Sequence, residues 1–188
     1  IMIYLTNTVG LNAGVIGSLI AASKVLDGIS DVIFGSMIDK THTKMGKARP
    51  WMLGAYLGCA ITLIAAFSVP TTMGKTSQYA WFFITYLLLN AGFYTANNIA
   101  YSTLTALITK NGKERVQMGS IRFMFAFGTS FIIQTVTVGL VEKLGGGASG
   151  WRTIAIIYAI IGLISNTITV FSVKELPEEK RSNGDTET

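Results

Sequence analysis

Five long apolar blocks separated by short polar stretches set the pattern of this chain: 13–38, 51–69, 79–108, 118–141 and 151–173. About 20 apolar residues in a helix cross the roughly 30 Å hydrocarbon core of a bilayer, so each block is long enough to span it. A membrane β-barrel would need alternating segments of about 10 residues, and these blocks do not alternate. Helices also satisfy their backbone hydrogen bonds internally, as lipid demands. The pattern therefore predicts an all-α transmembrane protein with five complete spans. Ahead of them, residues 1–6 read as the outer end of a sixth, partial helix, and Thr6 to Asn12 as a turn. No charged stretch precedes this segment, so a signal peptide is a poor reading of it.

Composition agrees with the pattern. Of 188 residues, 50% are hydrophobic and only 13% charged, where a soluble domain carries about 25%. The mean hydropathy is +0.49. A single cysteine, Cys59, excludes a disulfide framework and reads as packing. A single histidine, His42, leaves no Cys/His set for zinc. An enzyme buried in the membrane would need a nucleophile and base within a span, yet His42 lies in a loop. The expectation is a non-enzyme with no cofactor.

Lys and Arg set the orientation. Segments 39–50, 109–117 and 174–188 hold ten of them, against three in 1–12, 70–78 and 142–152. The basic side is expected to be cytoplasmic, with 174–188 as a polar cytoplasmic linker. The net charge of +5 is thus a topology signal and requires no nucleic-acid partner. Trp51, Trp81 and Trp151 stand at or near the starts of their blocks and read as interfacial anchors.

Four charges fall inside the blocks: Lys24, Asp27, Asp31 and Arg122. Each costs about 2.5–3.5 kcal/mol or more at mid-membrane, so none should face lipid. On a helix, Asp27 and Asp31 lie within about 60° of Lys24, and Gly17, Gly28 and Gly35 fall beside them. Small residues there suggest that this arc faces another helix or a cavity. Ser30 adds a hydroxyl at its edge. Two carboxylates one turn apart suit a hard cation, or a shared proton. The plainer reading is that Lys24 and Arg122 neutralise the acids and brace the bundle. Arg122 lies at a depth that permits pairing with Asp31 or a bidentate bond to a ligand.

Block 79–108 carries a second polar face. Asn90, Tyr94, Asn97, Asn98, Tyr101 and Thr105 share an arc of about 100°. Uncharged amides and hydroxyls beside rings suit a neutral polyhydroxy ligand, or interhelical hydrogen bonding. Met124 and Phe123, Phe125, Phe127 and Phe131 read as lipid-facing or core residues.

Gly35, Asp39, Lys40 and the turn through Gly46, Lys47 and Arg49 resemble the loop between helices two and three of major facilitator transporters. Joined to the run Lys24, Asp27, Ser30, Asp31, and followed by Pro50-Trp51, the match narrows. The chain resembles the glycoside–pentoside–hexuronide:cation symporters, the family of the melibiose carrier. Tyr94-Thr95 with Asn97-Asn98 and Tyr101 resembles that family's helix-four motif, and Lys113-Glu114-Arg115 followed by Arg122 its start of helix five. The resemblance covers residues 1–180 in order.

It implies the N-terminal six-helix bundle of a major facilitator fold in a bacterial cytoplasmic membrane. Helix one would be partial, helices two to six complete, and the C-terminal six-helix half would be a missing partner. It implies that Asp27, Ser30, Asp31 and Thr95 bind the coupling cation, with Asp27 and Asp31 the metal ligands if that ion is Na⁺ rather than H⁺. Tyr94, Asn98, Ser102 and Arg122 match positions near the sugar. Gly35, Asp39, Lys40, Gly46, Lys47 and Arg49 would form the cytoplasmic gating loop, with Asp39 capping or pairing at helix ends. Ser30 replaces the Asn of the melibiose carrier, Asn98 its sugar-binding acid, Ser102 its Trp, and Ala100 a common proline. Melibiose itself is therefore not implied. The expected function is cation-coupled sugar symport, with the isolated fragment inactive alone. The alternatives are a related carrier for lipid or another solute, and a packing subunit.

Overall fold

The computed structural model describes residues 1–176. A short π-helical turn, Tyr4–Thr8, leads into six α-helices: α1 (Ala13–Asp39), α2 (Arg49–Ala66), α3 (Lys75–Leu87), α4 (Thr95–Ile108), α5 (Gly112–Lys143) and α6 (Gly147–Ser172). No strand occurs among the described residues. Helices α1, α2, α5 and α6 are each long and apolar enough to cross a membrane. The block expected as one span over 79–108 is a continuous helical path, but α3 and α4 are joined through a second π-helical segment, Leu88–Tyr94. The linker expected over 174–188 lies, beyond Leu176, outside the described residues.

Helix ends follow local chemistry. The side-chain oxygen of Asn12 accepts from Gly14 N at 2.8 Å and Val15 N at 3.3 Å, starting α1. Arg49 and Pro50 open α2 two residues ahead of its apolar block, because proline suits the first helical turn. Asn111 caps α5 through Lys113 N at 3.0 Å, so the polar stretch before Met118 is already helical. Arg115 then turns back to the end of α4, donating to Thr109 O and Ala106 O at 2.9 Å each.

Helix α2 is the centre of the bundle, packed against α6, α4, α3 and the Leu88–Tyr94 segment. One core cluster joins Tyr4, Leu5, Ile16, Phe82, Trp151 and Ile154. A second, at the opposite end, joins Ile38, Ala48, Met52, Ala100, Leu104 and Val170. Between them glycines bring helices together: a Cβ at Gly58 would meet the Phe93 ring, and one at Gly162 the Tyr56 phenol. Asn166 crosses the same seam, its amide donating to Met52 O at 3.1 Å.

One expectation is corrected here and another narrowed. Trp151 is no interfacial anchor: it is buried, stacked on Phe67 at 5.7 Å and 9°, with Tyr4 beside both. Aromatic partners from two other segments, Tyr4 and Phe67, cover it. Gly17, Gly28 and Gly35 meet no helix among the described residues, since a Cβ at any of them would meet nothing within 4 Å; of the two expected neighbours, helix or cavity, the helix is ruled out here. Their shared face on α1 is open. The predicted close approaches belong to α2 and α6 instead. Helix α5 is exposed along most of its length, with Phe123, Phe125, Phe127 and Phe131 all turned outward, as rings bathed in lipid would be.

Candidate functional site

Two groups of side chains stand out, one on α1 and one where α5 meets α4. On α1 the Lys24 ammonium pairs with Asp27 Oδ2 at 2.8 Å. The other Asp27 oxygen, Oδ1, is buried and has no hydrogen-bond partner. A buried carboxylate oxygen without a partner is costly unless something electropositive reaches it. Ser30 is half-buried one turn further on, and Asp31 is exposed. Neither side chain makes a hydrogen bond or ion pair among the described residues. Lys24 therefore neutralises one acid, while Arg122 does not neutralise the other, so bracing accounts for only half of the four charges. The free oxygens of Asp27, Ser30 and Asp31 are hard donors of the kind that alkali cations and protons take. Thr95, the first residue of α4, is buried directly after the π-helical segment.

Arg122 points from α5 to α4. Its Nη1 donates to the Ser102 hydroxyl at 3.1 Å and its Nη2 to the Asn98 side-chain oxygen. Its guanidinium carbon also lies 4.4 Å from the centre of the Tyr101 ring. Asn98, Tyr101 and Ser102 are spaced i, i+3, i+4, which places all three on one face of a helix. Tyr94, one turn earlier, is exposed. The pairing with Asp31 that the depth of Arg122 permits is not made among the described residues. Asn90, grouped with this face by its angle, turns to its own helix and bonds Tyr86 O at 3.3 Å. The π-helical segment has more residues per turn than an α-helix, so angles counted through it drift.

The loop between α1 and α2 is held by a residue that the pattern did not single out. Glu175, just past α6, accepts from Lys47 N at 2.8 Å, Ala48 N at 3.0 Å and Arg49 N at 3.3 Å. A carboxylate on the first free amides of a helix is favoured by both hydrogen bonding and the helix dipole. Gly46 has φ +109°, and a Cβ there would strike the Glu175 carboxyl group. Arg49 completes the clasp, with Nε donating to Val170 O at 2.7 Å. Asp39, expected to cap or pair at helix ends, is exposed and makes no side-chain bond among the described residues; Glu175 occupies the position it was expected to fill. Lys40 is exposed beside it, and Gly35 borders open space. The only sequence signal for Glu175 was an acid directly after the last apolar block.

Comparison with known proteins places this arrangement in a family. The profile described as MFS/sugar transport protein matches residues 1–188. The isoprimeverose transporter of Lactiplantibacillus pentosus is 33% identical over 180 residues, which are 93% of this chain and 37% of that protein. The inner membrane symporter YicJ of Escherichia coli K12 is 29% identical, over 94% of this chain and 38% of its own length. The putative glycoside/cation symporter YagG of the same organism is also 29% identical, over 92% of this chain and 37% of its own length. This chain thus spans less than two-fifths of the length of these relatives. With six helices and no strand among the described residues, and a family match from end to end, the chain belongs to the MFS sugar transport family.

Proposed function

We propose that these residues form the N-terminal bundle of a cation-coupled glycoside symporter of a bacterial cytoplasmic membrane, working by alternating access. The observation that carries the reading is Arg122 meeting Asn98 and Ser102 on an uncharged face that also presents Tyr94. Hydroxyl, amide and guanidinium groups around an open face match the donors and acceptors of a sugar. Names of relatives that include a glycoside/cation symporter and an isoprimeverose transporter support the same class.

In this reading the coupling cation binds at Asp27, Ser30, Asp31 and Thr95. The orphaned Asp27 Oδ1 and the free Asp31 carboxylate supply its charge compensation. Closing the carrier over the uncompensated Asp31 carboxylate and the orphaned Asp27 oxygen would be costly, so closure waits for the cation. The sugar sits beside Tyr94, Asn98, Ser102 and Arg122. A second six-helix half forms the opposite wall, and the halves rock around the midplane. Loops 39–50 and 109–117 and tail 174–188 face the cytoplasm, as their Lys and Arg content requires. The Gly35–Arg49 stretch, with Asp39 and Lys40 exposed, gates that side.

The test is uptake by the full-length carrier in membrane vesicles. The substrates are radiolabelled isoprimeverose, methyl β-galactoside, methyl β-xyloside and methyl β-glucuronide, each with and without sodium and proton gradients. Uptake of at least one glycoside that rises with either gradient is expected, and the effective gradient identifies the coupling ion. Uptake of none under both gradients overturns the reading.

A further inference from the structure

Arg122 is half-buried and has no carboxylate partner: among the described residues the one ion pair is Lys24–Asp27. What faces its guanidinium is the Tyr101 ring, 4.4 Å away at the centroid, within the range of a cation–π contact. The Tyr101 hydroxyl makes no hydrogen bond among the described residues, so the ring face is the part in use. On either side of that ring the same α4 face supplies the two acceptors, Asn98 and Ser102. A guanidinium has five N–H donors. Two are committed to α4, and the others are available to a ligand.

The surroundings leave Arg122 room to move. A cavity of about 430 Å³ opens between α4, α5 and α6, lined by Tyr101, Arg122, Met118, Phe125 and Thr169. Helix α5 itself is exposed over most of its surface and packs chiefly on α6. Neither the cavity nor α5 confines a long side chain to one rotamer. The two hydrogen bonds to α4 and the ring do, the ring because attraction to its π face is strongest with the cation held over the centroid.

We infer that Tyr101 is a positioning residue, which holds the Arg122 guanidinium flat against α4 so that its uncommitted N–H groups face the sugar. The inference rests on the sugar site proposed above, and extends it to a residue that touches Arg122 rather than the ligand. Orientation of a donor set before binding lowers the ordering cost of binding, so the effect falls on affinity.

The experiment is uptake kinetics of the full-length carrier with the same four radiolabelled glycosides. Tyr101→Phe keeps KM within about twofold, because the ring remains. Tyr101→Leu raises KM by about 3- to 30-fold at near-constant Vmax, the range of a cation–π contact. Should Tyr101→Leu fail to fold, phenylalanine and its mono-, di- and trifluoro analogues at position 101 separate the cases. They change the ring's electrostatics at almost constant volume, and KM should climb stepwise with fluorination. A flat KM across that series, or a wild-type KM for Tyr101→Leu, overturns the inference. Arg122→Lys distinguishes the two levels of the argument. If it abolishes uptake while the Tyr101 series is flat, the positioning role alone fails. If it too leaves kinetics unchanged, the sugar site itself is misplaced.

Discussion

The Asp27 side chain is bound on one oxygen and orphaned on the other, and that asymmetry is the most informative feature at the scale of single residues. Lys24 holds Oδ2 at 2.8 Å while Oδ1 lies buried without a partner. In the proposed site a coupling cation and the Lys24 ammonium compete for the same carboxylate. The Lys24 side chain is 60% exposed in this bundle, and an exposed pair is worth only about 1 kcal/mol at most. Lys24→Gln should therefore lower the cation concentration giving half-maximal uptake by up to about fivefold. A higher half-maximal concentration would mean that Lys24 assists the site instead. The charges themselves were plain in the sequence, since four ionisable residues inside apolar blocks are conspicuous. Which acid pairs with which base was not, because that depends on side-chain reach across helices rather than on position along one.

Among the elements, the positions of the long helices were legible because hydropathy reflects the thickness of the bilayer, but α5, Gly112–Lys143, begins six residues ahead of its apolar block. The π-helical segment Leu88–Tyr94 was not, because one extra residue in a turn changes no hydropathy average; within it Asn90 bonds back to Tyr86 O. Helical angles placed Gly17, Gly28 and Gly35 correctly on one face of α1 but could not say what covers it, and in this bundle nothing does. Glu175 was hidden for another reason. It meets Lys47, Ala48 and Arg49 across more than 120 positions of chain, and no local pattern encodes such a partner. That clasp joins the end of α6 to the start of α2. Replacing Glu175 with Ala removes the cap and should cost about 0.5–2 kcal/mol, read as a lower melting temperature of the purified carrier in detergent. An unchanged melting temperature would show that water or another group caps α2 equally well.

At the scale of the whole molecule, polarity and exposure are unevenly divided. Helices α2 and α6 supply the packed seam, while α1, α4 and α5 turn charged and polar groups to open faces. Such a bundle is stable through one side and functional through the other. The proposed mechanism needs this division: a rigid seam carries the site as one body, and the open polar faces meet the opposite half. The family itself could be read from ordered motifs over residues 1–180, because Asp27, Ser30, Asp31, Asp39, Gly46 and Arg122 keep their spacing along the chain. The identity of the sugar could not, since it depends on the shape of a cavity with two walls. The central claim is that the α1 carboxylates couple cation to sugar, and the most direct measurement compares the full-length wild type with Asp31→Asn. Sugar uptake is followed with and without a cation gradient, alongside gradient-free exchange of the same sugar. The account predicts that Asp31→Asn loses gradient-stimulated uptake while exchange persists. Stimulation equal to wild type in Asp31→Asn would contradict it.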